Sequence, residues 1–255
     1  MLIKDFMETH KTSIVIFILI IIFAIIHSGG AALRNKAELI MGPRIWRLVF
    51  VSLSLPSAII LIGYFLTHRY DGIRLWNLQG NSFVFYFVWA LTAISFIFLY
   101  PATYNLLEIP SVQKPKVRIY STGIMRVTRH PQAIGQIIWC IAHSLWIGSS
   151  FTLVTSFGLI CHHLFAIWHG DKRLEFKFGE EFYKFRESTS IIPFLAIIEG
   201  RQVFKFREYF KLSQLGILIA IIVLWTSHKY INIAVIRFNS SFLSEFLDWQ
   251  FKIST

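Results

Sequence analysis

Apolar residues fall into long runs, and polar residues gather in short basic stretches between them. A helix needs about 20 apolar residues to cross a bilayer. Six runs are candidates, over residues 12–33, 48–66, 82–104, 132–148, 151–168 and 212–236. The fourth and fifth are short and are separated by little more than Ser149 and Ser150, which predicts a tight helical hairpin. The "SGGAA" stretch after the first run resembles a signal-peptide cleavage site. Arg34 and Lys36 follow it directly and oppose translocation, so the run is read as a retained span. In "GDKRLEFKFGEEFYKFRES", Leu174, Phe178, Phe182 and Phe185 recur at helical spacing among Lys and Arg. This predicts an interfacial amphipathic helix, acting as a surface brace or an active-site lid. "SFLSEFLDWQF" repeats the pattern with Phe242, Phe246 and Trp249. The expected fold is all-α: one polytopic membrane bundle over residues 1–255, with about six transmembrane helices plus interfacial amphipathic helices.

Composition supports this reading. Of the 255 residues 55% are hydrophobic, whereas 15% are charged, below the roughly 25% of a soluble domain. A net charge of +11 fits nucleic-acid binding in principle. The basic residues lie in short loops between apolar runs, so membrane topology explains them and no nucleic-acid partner is expected. With six spans, one face carries Lys4, Lys11, Arg69, Arg74, Lys229, Arg237 and Lys252, leaving 18 of the 25 Lys and Arg for the other. Positive charge collects on the cytoplasmic or stromal face. Both termini are therefore expected on the opposite, lumenal or periplasmic side. The "PKVRIYSTG" loop and the 169–211 segment are expected on the basic face. The two Cys residues lie in apolar runs and make no disulfide framework. No transit peptide is evident ahead of the first span.

Ionisable residues inside a span are costly and mark candidate sites. Of nine His residues, His27, His143, His162 and His163 lie deep in apolar runs. At about 1.5 Å per residue, His27, His143 and His162 fall roughly 20, 14 and 16 Å from the less basic face of a core about 30 Å thick. His162 and His163 are about 100° apart on their helix, so one of them points inward. Apolar surroundings favour the neutral imidazole, a good metal ligand. Two on facing helices suit a haem iron, and interhelical hydrogen bonding accounts for them equally well. Cys140, one turn before His143, is either a further ligand or a small buried hydrophobe. Gly29, Gly30, Ala31 and Ala32 after His27 leave room for a flat cofactor or a close helix.

Four stretches carry a resemblance: "FAIIHSGGAALR", "TGIMRVTRHPQAIGQIIWCIAHSLWIG", "ICHHLFAIWHGDKRL" and "TSIIPFLAIIEGRQ". In this order, over residues 13–204, they resemble the 15-cis-zeta-carotene isomerases of the wider NnrU family. Residues 205–255 carry no such likeness. The resemblance implies a haem b enzyme that converts 9,15,9′-tri-cis-zeta-carotene to the 9,9′-di-cis isomer by rotating the central double bond. It implies axial ligation by His27 and His143, with Cys140 exchanging on the iron as its redox state changes and His162 as a further functional residue. The cofactor is then haem b. The partners are a lipid-soluble carotenoid, the membrane, an electron donor and neighbouring carotenoid-pathway enzymes. The location is a plastid or cyanobacterial membrane.

A second resemblance starts from "RHPQ" and the later acidic, aromatic helix, which are similar to isoprenylcysteine carboxyl methyltransferases. There Arg129 and His130 would meet S-adenosylmethionine. In a plainer reading Pro131 opens a helix and Arg129 binds lipid phosphate. A third class is a non-catalytic NnrU-type protein that handles haem or nitric oxide.

Overall fold

The computed structural model describes residues 2–103, 119, 122–209 and 212–253. Nearly all are helical, and among them the one extended pairing is an isolated bridge between Arg74 and Ser149. Most of the "PKVRIYSTG" loop lies outside the described residues. The chain forms two compact units: Met1–Arg74, Ser149–Thr155 and Ile219–Thr255 make the first, and Leu75–Gly148 and Ser156–Leu218 the second.

In the first unit, α1 (Leu2–Ala24) runs into a π turn (Ile25–Gly29) and then α2 (Gly30–His68). The loop expected near residues 34–47 is instead helix, broken at one point. Gly42 takes φ +80° and ψ 159° just before Pro43. Proline disfavours helical geometry in the residue before it, and only glycine takes this φ without strain. Ile16 and Ile20 of α1 are buried one turn apart, as are Leu61 and Phe65 of α2. The outward positions Phe17, Ile18, Ile21 and Ile22 are apolar too, as helices bathed in hydrocarbon require. The hydroxyls of Ser149 and Thr152 each donate to the Arg69 carbonyl at 2.7 Å, closing the end of α2.

In the second unit, α3 (Ser82–Thr103) packs along α5 (Pro131–Ile147), after a single turn, α4 (Ile124–Val127). The backbones meet at Gly135, whose carbonyl accepts from Ser95 Oγ at 2.8 Å. Pro131 sits in the first turn of α5, and Gly148, at φ +68°, ends it. The carbonyls at that end are covered by an earlier stretch of chain. Trp76 Nε1 donates to Leu145, Gln79 Nε2 to Trp146 and the Leu75 N–H to Gly148.

Helix α6 (Ser150–Phe178) follows at once, so the expected hairpin is present. It runs well past residue 168 to Phe178, where Gly179, at φ +50°, breaks it before α7 (Glu180–Ser188). The apolar stripe predicted for this region is thus split, and its Phe182 and Phe185 are buried within the unit rather than laid on a lipid surface. A turn of helix, α8 (Leu195–Ile198), and a 3₁₀ turn (Phe206–Tyr209) lead to α9 (Leu212–Ile253), which continues past the expected end of its span.

Five described helical stretches are long and apolar enough to cross a membrane: His10–Arg34, Lys36–His68, Ser82–Tyr100, Ser150–Phe178 and Leu215–Val235. The remaining predicted span is α5. Its 17 residues reach about 25 Å, short of a hydrocarbon core of about 30 Å.

Candidate functional site

His27 belongs to the first unit, and Cys140, His143 and His162 to the second. His27 lies in the π turn, whose extra residue per turn re-aims a side chain and which is common at functional positions. Its ring stacks on Phe23 at 5.1 Å and tilts against Phe50 at 5.5 Å. Its Nδ1 lies 3.4 Å from Ser54 Oγ. The small residues after it serve helix packing at one place, since a Cβ on Gly30 would stand 3.1 Å from the Phe50 ring.

On α5, His143 Nδ1 donates to the Trp139 carbonyl at 3.0 Å, and the Trp139 ring stacks on the imidazole at 3.8 Å. A neutral imidazole protonated on Nδ1 carries its lone pair on Nε2, the arrangement that backbone carbonyls impose on iron-binding histidines. The donor chemistry of His143 therefore fits an iron ligand. Cys140, one turn earlier, is fully buried. Gln136 Nε2 points a hydrogen at its sulfur from 3.8 Å. Ser156 of α6 donates to the Cys140 carbonyl at 3.3 Å and accepts from Ser144 at 2.8 Å, which knits the hairpin at this level.

His162 is buried on α6 while the next residue, His163, is half-buried, so of the adjacent imidazoles His162 is the more enclosed; its ring meets His163 edge-on at 5.3 Å. His143 and His162 do not lie at one depth. Counted from the helix ends at Ile147 and Ser150, His143 is about 6 Å along α5 and His162 about 18 Å along α6. The two differ by about 12 Å instead of sharing one level, because α5 is shorter than a full span. Among the described residues no group of three or more His, Cys, Asp and Glu is placed to hold a metal ion.

The "RHP" residues are engaged within the protein. Arg129 Nε and Nη2 donate to Asp171 at 3.1 and 3.0 Å, and His130 Nε2 lies 2.7 Å from the other carboxylate oxygen. The Arg129 side chain is 8% exposed. It is not offered to a lipid phosphate or to a nucleoside cofactor, because a buried guanidinium takes the nearest carboxylate. Asp171 was not singled out from sequence. Its signal was its place as the first acidic residue after the fifth apolar run. Ser54, Trp139, Gln136 and Ser156, which surround the candidate residues, had no signal beyond ordinary helix composition.

The family model for NnrU protein matches residues 15–235. The chain is 49% identical over 82% of its length to a Zea mays protein named 15-cis-zeta-carotene isomerase, chloroplastic. It is 47% identical over 88% of its length to an Arabidopsis thaliana protein of the same name. It spans 58% and 62% of those two relatives. No solved structure matches it.

Proposed function

This chain belongs to the NnrU family, and on that premise we propose that it is a plastid or cyanobacterial membrane isomerase that rotates the central 15–15′ double bond of tri-cis-zeta-carotene. One observation carries the reading: near-half identity, over more than four-fifths of the chain, to two relatives named for that reaction. The fold suits such a substrate. A C40 hydrocarbon has no polar handle and arrives through the bilayer, and five helices here are apolar enough to sit in it.

The proposed cofactor is haem b, with imidazole ligation by His27 and His143. When bound, the haem would supply a redox-active iron as a source of electron density for the polyene. His143 is fixed for ligation by the Trp139 carbonyl, which holds the proton on Nδ1. Cys140 is the alternative donor. Gln136 Nε2 lies 3.8 Å from its sulfur. His162 is the second catalytic candidate, buried a few turns further along α6. Both termini are proposed to face the lumen or periplasm.

The test is co-expression, in darkness, with enzymes that make the tri-cis substrate, followed by chromatography of the carotenoids and a spectrum of the purified protein. The expected result is 9,9′-di-cis product and a Soret band, both weakened by His143→Ala. Haem without turnover would leave a non-catalytic haem protein. Turnover without iron would remove the cofactor assignment. Cys140→Ala should change the ferric spectrum more than the ferrous one, while Cys161→Ala, at an exposed position, changes neither.

A further inference from the structure

Between α7 and α9 the second unit carries a short, rigidly held segment whose outer surface is apolar. The segment is pinned from within. Thr128 Oγ1 donates to the Ile191 carbonyl at 2.7 Å, and the Phe194 N–H donates to Val127 at 2.9 Å. Arg201 donates to the carbonyls of Glu187 and Thr189, and the Gln202 N–H to that of Ala196. Ala196 is fully buried beneath it. Within this frame Phe194 adopts φ +64°, the one positive value among the described non-glycine residues. Such a conformation is sparsely populated for a bulky side chain and persists only where the surroundings enforce it.

The strained residue is not enclosed by the chain, for Phe194 stays 46% exposed. It faces Phe204 at 6.4 Å, and Phe204 faces Phe206 at 6.5 Å, so the rings form one continuous patch. Ile192, Ile198 and Val203 are also exposed, Ile198 to 79%. Exposed Lys205 and Arg207 alternate with the aromatic residues, and residues 191–207 carry three basic residues against one acidic residue, Glu199. Aromatic rings interleaved with Lys and Arg suit the headgroup level of a bilayer, where rings sit among the acyl carbons and the cations meet phosphates.

We propose that residues 191–207 form an interfacial anchor whose aromatic edge enters the headgroup–acyl boundary of an anionic bilayer, with Lys205 and Arg207 on the lipid phosphates. The anchor holds whether or not the chain binds haem. It also differs from the amphipathic helix expected over 170–188, whose Phe182 and Phe185 are buried.

The test uses the full chain in lipid nanodiscs, with Cys161→Ala as background and Cys140 buried. Nitroxides are placed at Ile198→Cys, at Phe206→Cys and, as an aqueous reference, at exposed Lys184→Cys on α7. Power saturation then reads collisions with dissolved oxygen and with a water-soluble nickel chelate. In phosphatidylglycerol discs, the labels at 198 and 206 should show oxygen collisions several-fold above, and nickel collisions several-fold below, those at 184. Nickel access at 198 and 206 equal to that at 184 would overturn the proposal. So would low access to both reagents, which marks coverage by protein, such as a second copy of the chain. Lys205→Glu with Arg207→Glu should raise nickel access at 198 in phosphatidylglycerol but not in phosphatidylcholine. The same change in both lipids, or none, would refute the role of Lys205 and Arg207 in holding an anionic bilayer.

Discussion

Gly135 is where α3 and α5 come closest, and replacing it with Ala tests how far that approach organises the second unit. A Cβ there would stand 2.7 Å from Leu99 Cγ, 2.8 Å from the Ser95 carbonyl oxygen and 3.0 Å from the Leu99 backbone nitrogen. Carbon contacts are comfortable at about 3.5 Å or more, so the helices must part by roughly 0.6 Å. Leu99 can rotate its side chain, but the two backbone atoms cannot yield alone. Overpacking of this kind costs about 1–3 kcal/mol. Stretching the buried bond from Ser95 Oγ to the Gly135 carbonyl adds about 1 kcal/mol. The better helix propensity of Ala returns about 1 kcal/mol, leaving a net loss of about 1–3 kcal/mol. The folded-to-unfolded ratio should fall about ten- to a hundred-fold. Denaturant unfolding of the detergent-solubilised protein, followed by tryptophan fluorescence, reads this directly. Gly63→Ala is the control: nothing lies within 4 Å of its Cβ, so it should stabilise by about 0.5–1 kcal/mol. Ser95→Ala isolates the hydrogen bond. Gly135→Ala as stable as wild type would refute the close approach. Because α5 also carries Cys140 and His143, the same substitution should disturb whatever these residues bind.

Two further predictions concern ion pairs at the edge of the second unit. Glu208 accepts from Arg126 Nε at 2.9 Å and from the Gly123 N–H at 2.6 Å. The Arg126 hydrogen bond, with that backbone bond and the nearby positive charge, holds its carboxyl below the usual Glu value against the opposing effect of burial. A lowered folded-state value means the contribution is present above the ordinary Glu range and is lost as pH falls through the folded value. The protection factors of the residue 206–209 amides, exchange measured relative to the unstructured chain at the same pH, should therefore fall on acidification, and Glu208→Gln should remove that pH dependence. Arg129→Ala leaves Asp171 with only His130 in a mostly buried place and should cost about 3 kcal/mol in the same unfolding assay, with Arg129→Lys recovering part because it keeps the charge but not the fork.

Hydropathy placed the helices well because bilayer physics acts on whole runs of residues. All six apolar runs are helical, and the Ser149–Ser150 hairpin is there. What sequence misplaced depends on single residues. The Gly42 kink and the Gly179 break are local choices of φ, set by one glycine each, and neither alters the hydropathy of its run. Of the candidate site, residue identities were legible but not their settings. An Nδ1 bond from His143 to the carbonyl of Trp139 uses backbone that every sequence supplies, so nothing in the letters marks it. The π turn around His27 likewise has no composition of its own. The depth of His143 was misjudged because a short apolar run was assumed to cross the full core, whereas Pro131 and Gly148 fix α5 at 17 residues. Asp171 lay 42 residues from Arg129, a pairing that only the fold discloses.

The strap over the end of α5 bears on how the chain is made. Trp76 lies 69 residues ahead of the carbonyl it covers, and Gln79 lies 67 ahead of its own. A ribosome therefore delivers the donors well before the acceptors. When the short helix emerges, its last carbonyls meet side chains already waiting and need no water. A helix too short to reach both headgroup layers can then enter the lipid without dragging solvent with it. The order of synthesis thus supplies the caps ahead of the short helix that uses them.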